Sequence, residues 1–180
     1  MKTKVLITGS NGLLGQNLIE LFLKDKTNYQ IFGFSRGENR SGRTDFEYLN
    51  IDLTNKELLI EKTIQIKPDF IINTAAMTNV DACENDKVTC FDLNVNLVQN
   101  LTNICAKIDA HLIHISTDFI FDGEKGNYTE IDAPNPLSYY GETKLLSEEI
   151  LEKSTINFTI LRTILVYGLV NDMSRSNIVL

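Results

Sequence analysis

The chain has 180 residues, enough for one domain with a sizeable core and short for two. It is 43% hydrophobic and 23% charged, with 10 glycines, 3 prolines and no repeat or biased tract, which excludes disordered and fibrous classes. A net charge of −7 and a pI near 4.8 argue against nucleic acid or an anionic membrane as a partner.

The N-terminal stretch MKTKVLITGSNG reaches a glycine cluster after four apolar-leaning positions, shorter than a secretory leader, and no run of eighteen apolar residues follows. A cytoplasmic protein is expected. Short apolar runs predict strands at 4–8, 29–34, 45–50, 69–74, 110–116 and 157–162, most of them apolar on both faces, as in a parallel sheet covered by helices. Between them, Leu14, Leu18, Leu21 and Phe22 predict one amphipathic helix. Val88, Phe91, Val95, Val98, Leu101, Cys105 and Ile108 predict a longer one with a single buried face. A third helix is expected after the prolines at 134 and 136, carrying LSYYGETKLLSEEILEK. Strand and helix in alternation imply an α/β fold, a doubly wound parallel sheet of Rossmann type with helices on both faces.

Gly9, Gly12 and Gly15 stand directly after the first strand, where glycines permit a tight turn and a close approach of backbone to a pyrophosphate at a helix N-terminus. The spacing G-x-x-G-x-x-G in that context predicts dinucleotide binding. At the end of the second strand an acid would select NAD, but Ser35 and Arg36 stand there, with Arg40 and Arg43 beyond. Arginine suits a 2′-phosphate, so NADP(H) is favoured and NAD(H) is the alternative. The same loop could be a solvated basic surface, with Glu38 on a ribose. After the third strand Asp52 is offered to an adenine amino group and Leu53 to its ring, and after the fourth Ala75 and Ala76 allow ribose or pyrophosphate against backbone. Either segment could equally be a tight strand-to-helix connection.

Cys83, Cys90 and Cys105 match no disulfide or zinc spacing and read as small buried hydrophobes. His111 and His114, three apart on a strand, point to opposite faces, so no metal is expected. In SYYGETK, Tyr140 and Lys144 share a helix face. At about 4 Å and an effective dielectric of about 20 their attraction is about 4 kcal/mol, roughly three pKa units, enough to bring a phenol toward neutral pH. Such a group could give a proton to a carbonyl as hydride arrives. Thr117 and Asp118 close the fifth strand beside the expected crevice, where a hydroxyl could hold a substrate oxygen or simply cap a turn.

The ordered segments TGSNGLLG, NTAAMTNVD, LNVNLVQNL, ISTDFIFDG, PNPLSYYGETK and LRTILVYG resemble the extended short-chain dehydrogenase/reductases, and among them the dTDP-4-dehydrorhamnose reductase family. The resemblance implies reduction of a 4-keto-6-deoxy nucleotide sugar for polysaccharide synthesis, with Tyr140 as acid and Lys144 lowering its pKa and holding the nicotinamide ribose. Thr117 would hold the substrate carbonyl, with Asp118 near the sugar, and Asn94 would be a buried prop of the active site. Gly9, Asn11, Gly12, Leu13, Leu14 and Gly15 would lie at the pyrophosphate, and Asp52, Leu53, Ala75 and Ala76 along the adenosine. Leu165 occupies a substrate-side position where these reductases carry tryptophan. The family continues for about another hundred residues, so the 180 residues are expected to be a dinucleotide-binding domain lacking most of a C-terminal substrate domain, consistent with the uncapped apolar pattern at 168–180. A nucleotide sugar is the implied partner, with a homodimer the assembly to consider. Two other readings share these motifs: a non-catalytic regulatory subunit like the beta subunit of methionine adenosyltransferase, and a nucleotide-sugar epimerase.

Overall fold

The computed structural model describes residues 1–169, so most of the apolar C-terminal pattern lies outside the described residues. In chain order the elements are β1 (Thr3–Thr8), α1 (Leu13–Phe22), β2 (Tyr29–Ser35), β3 (Glu47–Asn50), α2 (Lys56–Ile66), β4 (Phe70–Asn73), α3 (Val80–Asn85), α4 (Lys87–Phe91), α5 (Leu97–Ile108), β5 (His111–Thr117), α6 (Tyr139–Glu152) and β6 (Phe158–Thr163). All six strands pair in parallel in the order β3-β2-β1-β4-β5-β6. The order reverses between β1 and β4, and the carboxyl ends of strands at such a reversal form the crevice in which open α/β sheets bind ligands.

The alternation of β1 divides the core. Val5 and Ile7, with Ile31 and Ile72, pack on Ile19 and Leu23 around α1. Leu6, Phe34, Ile71 and Leu112 pack on the other face against Leu59 of α2, Leu101 and Ile104 of α5 and Leu151 of α6. Each such side chain removed from water contributes about 1.5–3 kcal/mol, which is why strands apolar on both sides settle between helices.

Two helical faces differ from the sequence expectation. In α1 the buried line runs through Gly15 and Ile19 to Leu23, and Leu21 is 57% exposed. Glycine carries no hydrophobic signal, yet Gly15 is the side on which the helix meets the first turn. The expected long helix is interrupted by a π-helical segment, Asp92–Asn96, between α4 and α5. A π segment shifts the helical phase, so Cys90 and Asn94 turn inward and Val88 is left 74% exposed. Helix α2 fills a stretch without a strong apolar stripe, burying Leu59 and Thr63 and capped by the Asn55 side chain, which accepts from Leu58 N. The three cysteines are buried and free, and burial pushes the thiols of Cys83 and Cys105 up to about 12. Among the described residues no helix is long and apolar enough to cross a membrane.

Candidate active site

The first turn is built by backbone. Gly9 has φ +71°, and a Cβ there would lie 2.8 Å from Ala75 N, so glycine lets the exit of β4 rest directly on the turn. Gly9 N donates to Phe34 O and Gly12 N to Gly9 O, both at 2.8 Å. Helix α1 then starts at Leu13 with no side-chain cap and no acid in its first turn. By contrast α2, α3, α4 and α6 are capped by Asn55, Asn79, Asp86 and Ser138. Uncapped first-turn amides carry the positive end of the helix dipole, so this terminus fits an anionic group such as a pyrophosphate.

A cleft of about 190 Å³ opens there. Gly9, Asn11 and Gly12 line it together with Ser35, Arg36, Asp52, Leu53, Ala75 and Ala76, joining the ends of β1, β2, β3 and β4. Thr74 and Leu93 line it too and were not anticipated. Leu93 would be found only by knowing where the π segment sits. Leu13 and Leu14 are half-buried and Gly15 is buried behind the turn, and none of the three is among the lining residues. The arginines divide: Arg43 is forked onto Asp45, with Nε to Oδ1 at 2.8 Å and Nη2 to Oδ2 at 2.6 Å, and also reaches Glu20. Arg36 remains at the cleft, its side chain 67% exposed and 3.9 Å from Asp52. Asp52 is fixed by Thr54, whose N and Oγ1 donate to it at 2.9 and 2.7 Å and, ahead of Arg36, hold its carboxyl below the usual range.

The second group lies where β5 meets α6. Gly141 has the carbonyl of Phe119 where a Cβ would be, so the first turn of α6 rests on the turn after β5. This brings Tyr140, 8% exposed, beside Thr117. Burial raises the phenol above its ordinary range, and the neighbouring Thr117 hydroxyl offsets this in part. Thr117 also donates to Asp118 at 3.2 Å and accepts from Phe119 N, so the capping role read as its alternative is present as well. Phe119 packs edge-on against the Tyr140 ring at 5.8 Å.

Lys144 does not behave as expected. It shares the buried face of α6 with Tyr140, yet its ammonium points into the sheet, donating to Ile115 O at 2.7 Å and lying 3.1 Å from His114 Nε2. No hydrogen bond joins it to Tyr140 among the described residues. The lowering of the phenol by Lys144 is therefore corrected: the lysine is 1% exposed, burial draws it down to about 7, and the phenol is raised instead. Spacing along a helix fixes which face two residues share, but a four-carbon stem reaches whatever acceptor lies below it.

Beneath Lys144 runs a buried polar chain absent from the sequence reading. Thr8 Oγ1 donates to Asn73 Oδ1 at 2.6 Å, Asn73 Nδ2 is 3.1 Å from His114 Nδ1, and His114 Nε2 is 3.0 Å from Ser147 Oγ. Burial, then the charge of Lys144, holds His114 well below its usual range. The available signal was the alternation of β5, which puts His114 on the side of Leu112 and Ser116, toward a helix repeating polar groups at 144 and 147. His111 is on the opposite side, 2.9 Å from Thr159 Oγ1.

Asn94 connects the two groups. Its Oδ1 accepts from Met77 N at 2.8 Å, while Nδ2 reaches Met77 O and Thr143 Oγ1, each at 3.1 Å. One buried amide thus ties the segment after Ala76 to the turn of α6 between Tyr140 and Lys144. Leu165, by contrast, lies past β6, 51% exposed at the sheet edge, with no described contact to this cluster.

Sheet order and the glycine turn define a Rossmann-type α/β fold. The chain belongs to the RmlD substrate-binding domain family, whose profile matches residues 3–179. It is 34% identical over 166 residues to a dTDP-4-dehydrorhamnose reductase of Aggregatibacter actinomycetemcomitans, covering 92% of this chain and 52% of that protein. It is 36% identical over 174 residues to the methionine adenosyltransferase 2 subunit beta of Xenopus tropicalis, covering 96% and 50%. The crystal structure of a dTDP-4-dehydrorhamnose reductase from Bacillus anthracis in complex with NADP superposes with a TM-score of 0.81 at 29% identity, covering 94% of this chain and 56% of that one. The chain spans about half the length of the curated relatives it matches.

Proposed function

We propose that this chain is the cofactor-binding half of an NADP(H)-dependent reductase of a 4-keto-6-deoxy nucleotide sugar, of the dTDP-4-dehydrorhamnose reductase kind. The observation that carries the reading is a cleft over an uncapped helix terminus, tied through the buried amide of Asn94 to the turn of α6 that carries the buried Tyr140. Bound NADPH would supply hydride. Gly9, Gly12 and the first amides of α1 would hold its pyrophosphate, and Arg36 and Ser35 the adenosine ribose and its phosphate.

The residues of the chain then handle the proton. Reduction of a ketone needs a protonated acid beside the carbonyl oxygen, and a phenol raised by burial keeps its proton at neutral pH. Thr117 would orient that oxygen. In this reading Lys144 meets the cofactor by leaving Ile115 O, and Asp118 stands near the sugar. The similarity to the B. anthracis reductase with NADP and to the A. actinomycetemcomitans reductase supports the assignment.

The test is to follow NADPH absorbance with dTDP-4-keto-6-deoxy-L-mannose and the full-length protein, in which this half is joined to a substrate domain. Turnover is expected, and Tyr140→Phe should lower it by about 10²-fold or more with cofactor affinity unchanged. Because the methionine adenosyltransferase subunit is equally similar, a regulatory role is the second reading. NADPH binding without turnover would favour it.

A further inference from the structure

Within the reading of Arg36 as the group that meets the 2′-phosphate, one side chain organises the whole basic loop. Asn11 is 6% exposed, and its amide bonds to residues beyond β2. Nδ2 donates to Glu38 O at 2.8 Å and Arg36 O at 3.0 Å and lies 3.0 Å from Tyr48 Oη, while Oδ1 accepts from Arg40 N at 2.9 Å. The Tyr48 hydroxyl, from β3, donates to Gly37 O at 2.7 Å and reaches Ser35 O at 3.2 Å. Gly37 N in turn donates to Asn50 Oδ1 at 2.8 Å. The carbonyls of four successive residues, 35 to 38, thus converge on one amide and one phenol, in a segment whose glycine sits at φ +79°.

This is an inverted loop: its carbonyls point inward, and the Arg36 side chain is left at the mouth of the cleft, where among the described residues it meets Asp52 in an ion pair of 3.9 Å. So long a pair between exposed groups is weak and readily exchanged for a phosphate. Both Nδ2 hydrogens of Asn11 are taken up by the loop and Tyr48, although the residue lines the cleft.

We propose that Asn11 and Tyr48 are positioning residues for cofactor choice: together they fold residues 35–38 so that the Arg36 guanidinium meets the 2′-phosphate of NADP(H), without touching the cofactor through their own polar atoms. Without the clamp the loop keeps its sequence and its charge and loses only its shape.

The experiment measures dissociation constants for NADPH, NADH and adenosine 2′,5′-bisphosphate with the wild-type protein, Arg36→Ala, Asn11→Ala and Tyr48→Phe. In both clamp variants NADPH and the bisphosphate should weaken roughly tenfold or more, the scale of a lost charged hydrogen bond, while NADH changes less than about twofold. Tyr48→Phe lacks a single oxygen and carries the test should Asn11→Ala fail to fold. An equal loss for NADPH and NADH, or no loss for either, overturns the proposal. An unchanged preference in Arg36→Ala removes that guanidinium from the phosphate, and the proposal with it. A preference lost in Arg36→Ala yet kept in both clamp variants overturns the clamp alone.

Discussion

Replacing Lys144 by methionine separates the cost of burying its charge from everything else the side chain does. The ammonium is drawn from 10.5 to about 7, with burial the largest cause, opposed by the charge of Glu148. At about 1.36 kcal/mol per unit, that fall is about 5 kcal/mol of unfavourable free energy when the folded and the unfolded chain both carry the proton. The folded value is depressed, so below pH 7 the folded protein carries the whole penalty. Between 7 and 10.5 the unfolded chain binds the extra proton, and stability rises with pH. Above 10.5 the penalty vanishes. Methionine has no such dependence. Urea unfolding of both proteins from pH 6 to pH 9.5 should therefore show the wild type gaining on Lys144→Met by about 3 kcal/mol across the range, whatever constant offset arises from the lost bond to Ile115 O. Titrating groups remote from Lys144 are common to both proteins and cancel, and carrying both proteins in a His114→Gln background removes the imidazole that the Lys144 charge helps hold down. A pH-independent difference would mean that the folded protein keeps Lys144 charged at no cost and that its partners compensate fully. A difference moving the other way would place its folded value above 10.5 and refute the reasoning outright.

Glu148 is 1% exposed and receives Arg162 on both oxygens, with Nη2 to Oε2 at 2.7 Å, joining α6 to β6. Glu148→Gln should cost about 3 kcal/mol in chemical denaturation, the low end for breaking a buried pair because Arg162 keeps some solvent access, and a loss under about 1 kcal/mol would show that the pair does not hold the strand. Gly141→Ala adds a methyl against Phe119 O and should destabilise by about 1–3 kcal/mol, overriding the helix propensity gained. A raised melting temperature would mean that α6 does not rest on that carbonyl.

Much of the architecture was legible because a parallel sheet leaves a strong mark. Strands covered on both faces must be apolar at consecutive positions, and all six predicted runs lie within a few residues of the observed strands. The glycine turn was equally clear, since a positive φ and a backbone-to-backbone approach leave almost no other residue possible at Gly9. The phases of α1 and α4 were not legible. Gly15 marks a buried face without being hydrophobic, and the π segment at 92–96 resets the rotation of a helix that reads as uniform. Helix α2 went unseen because so little of it is buried.

The candidate site divides along the same line. Residues set by local geometry, the turn glycines and the shared face of Tyr140 and Lys144, follow from spacing alone, because a turn or a helix constrains its own neighbours. What each polar group does was decided only when distant segments met: Lys144 found His114 and Ile115 across the gap from α6 to β5, and Asn11 found carbonyls 25 to 27 residues away. A flexible or multivalent side chain takes the partners that the tertiary structure brings within about 3 Å, and no periodicity in the chain records them.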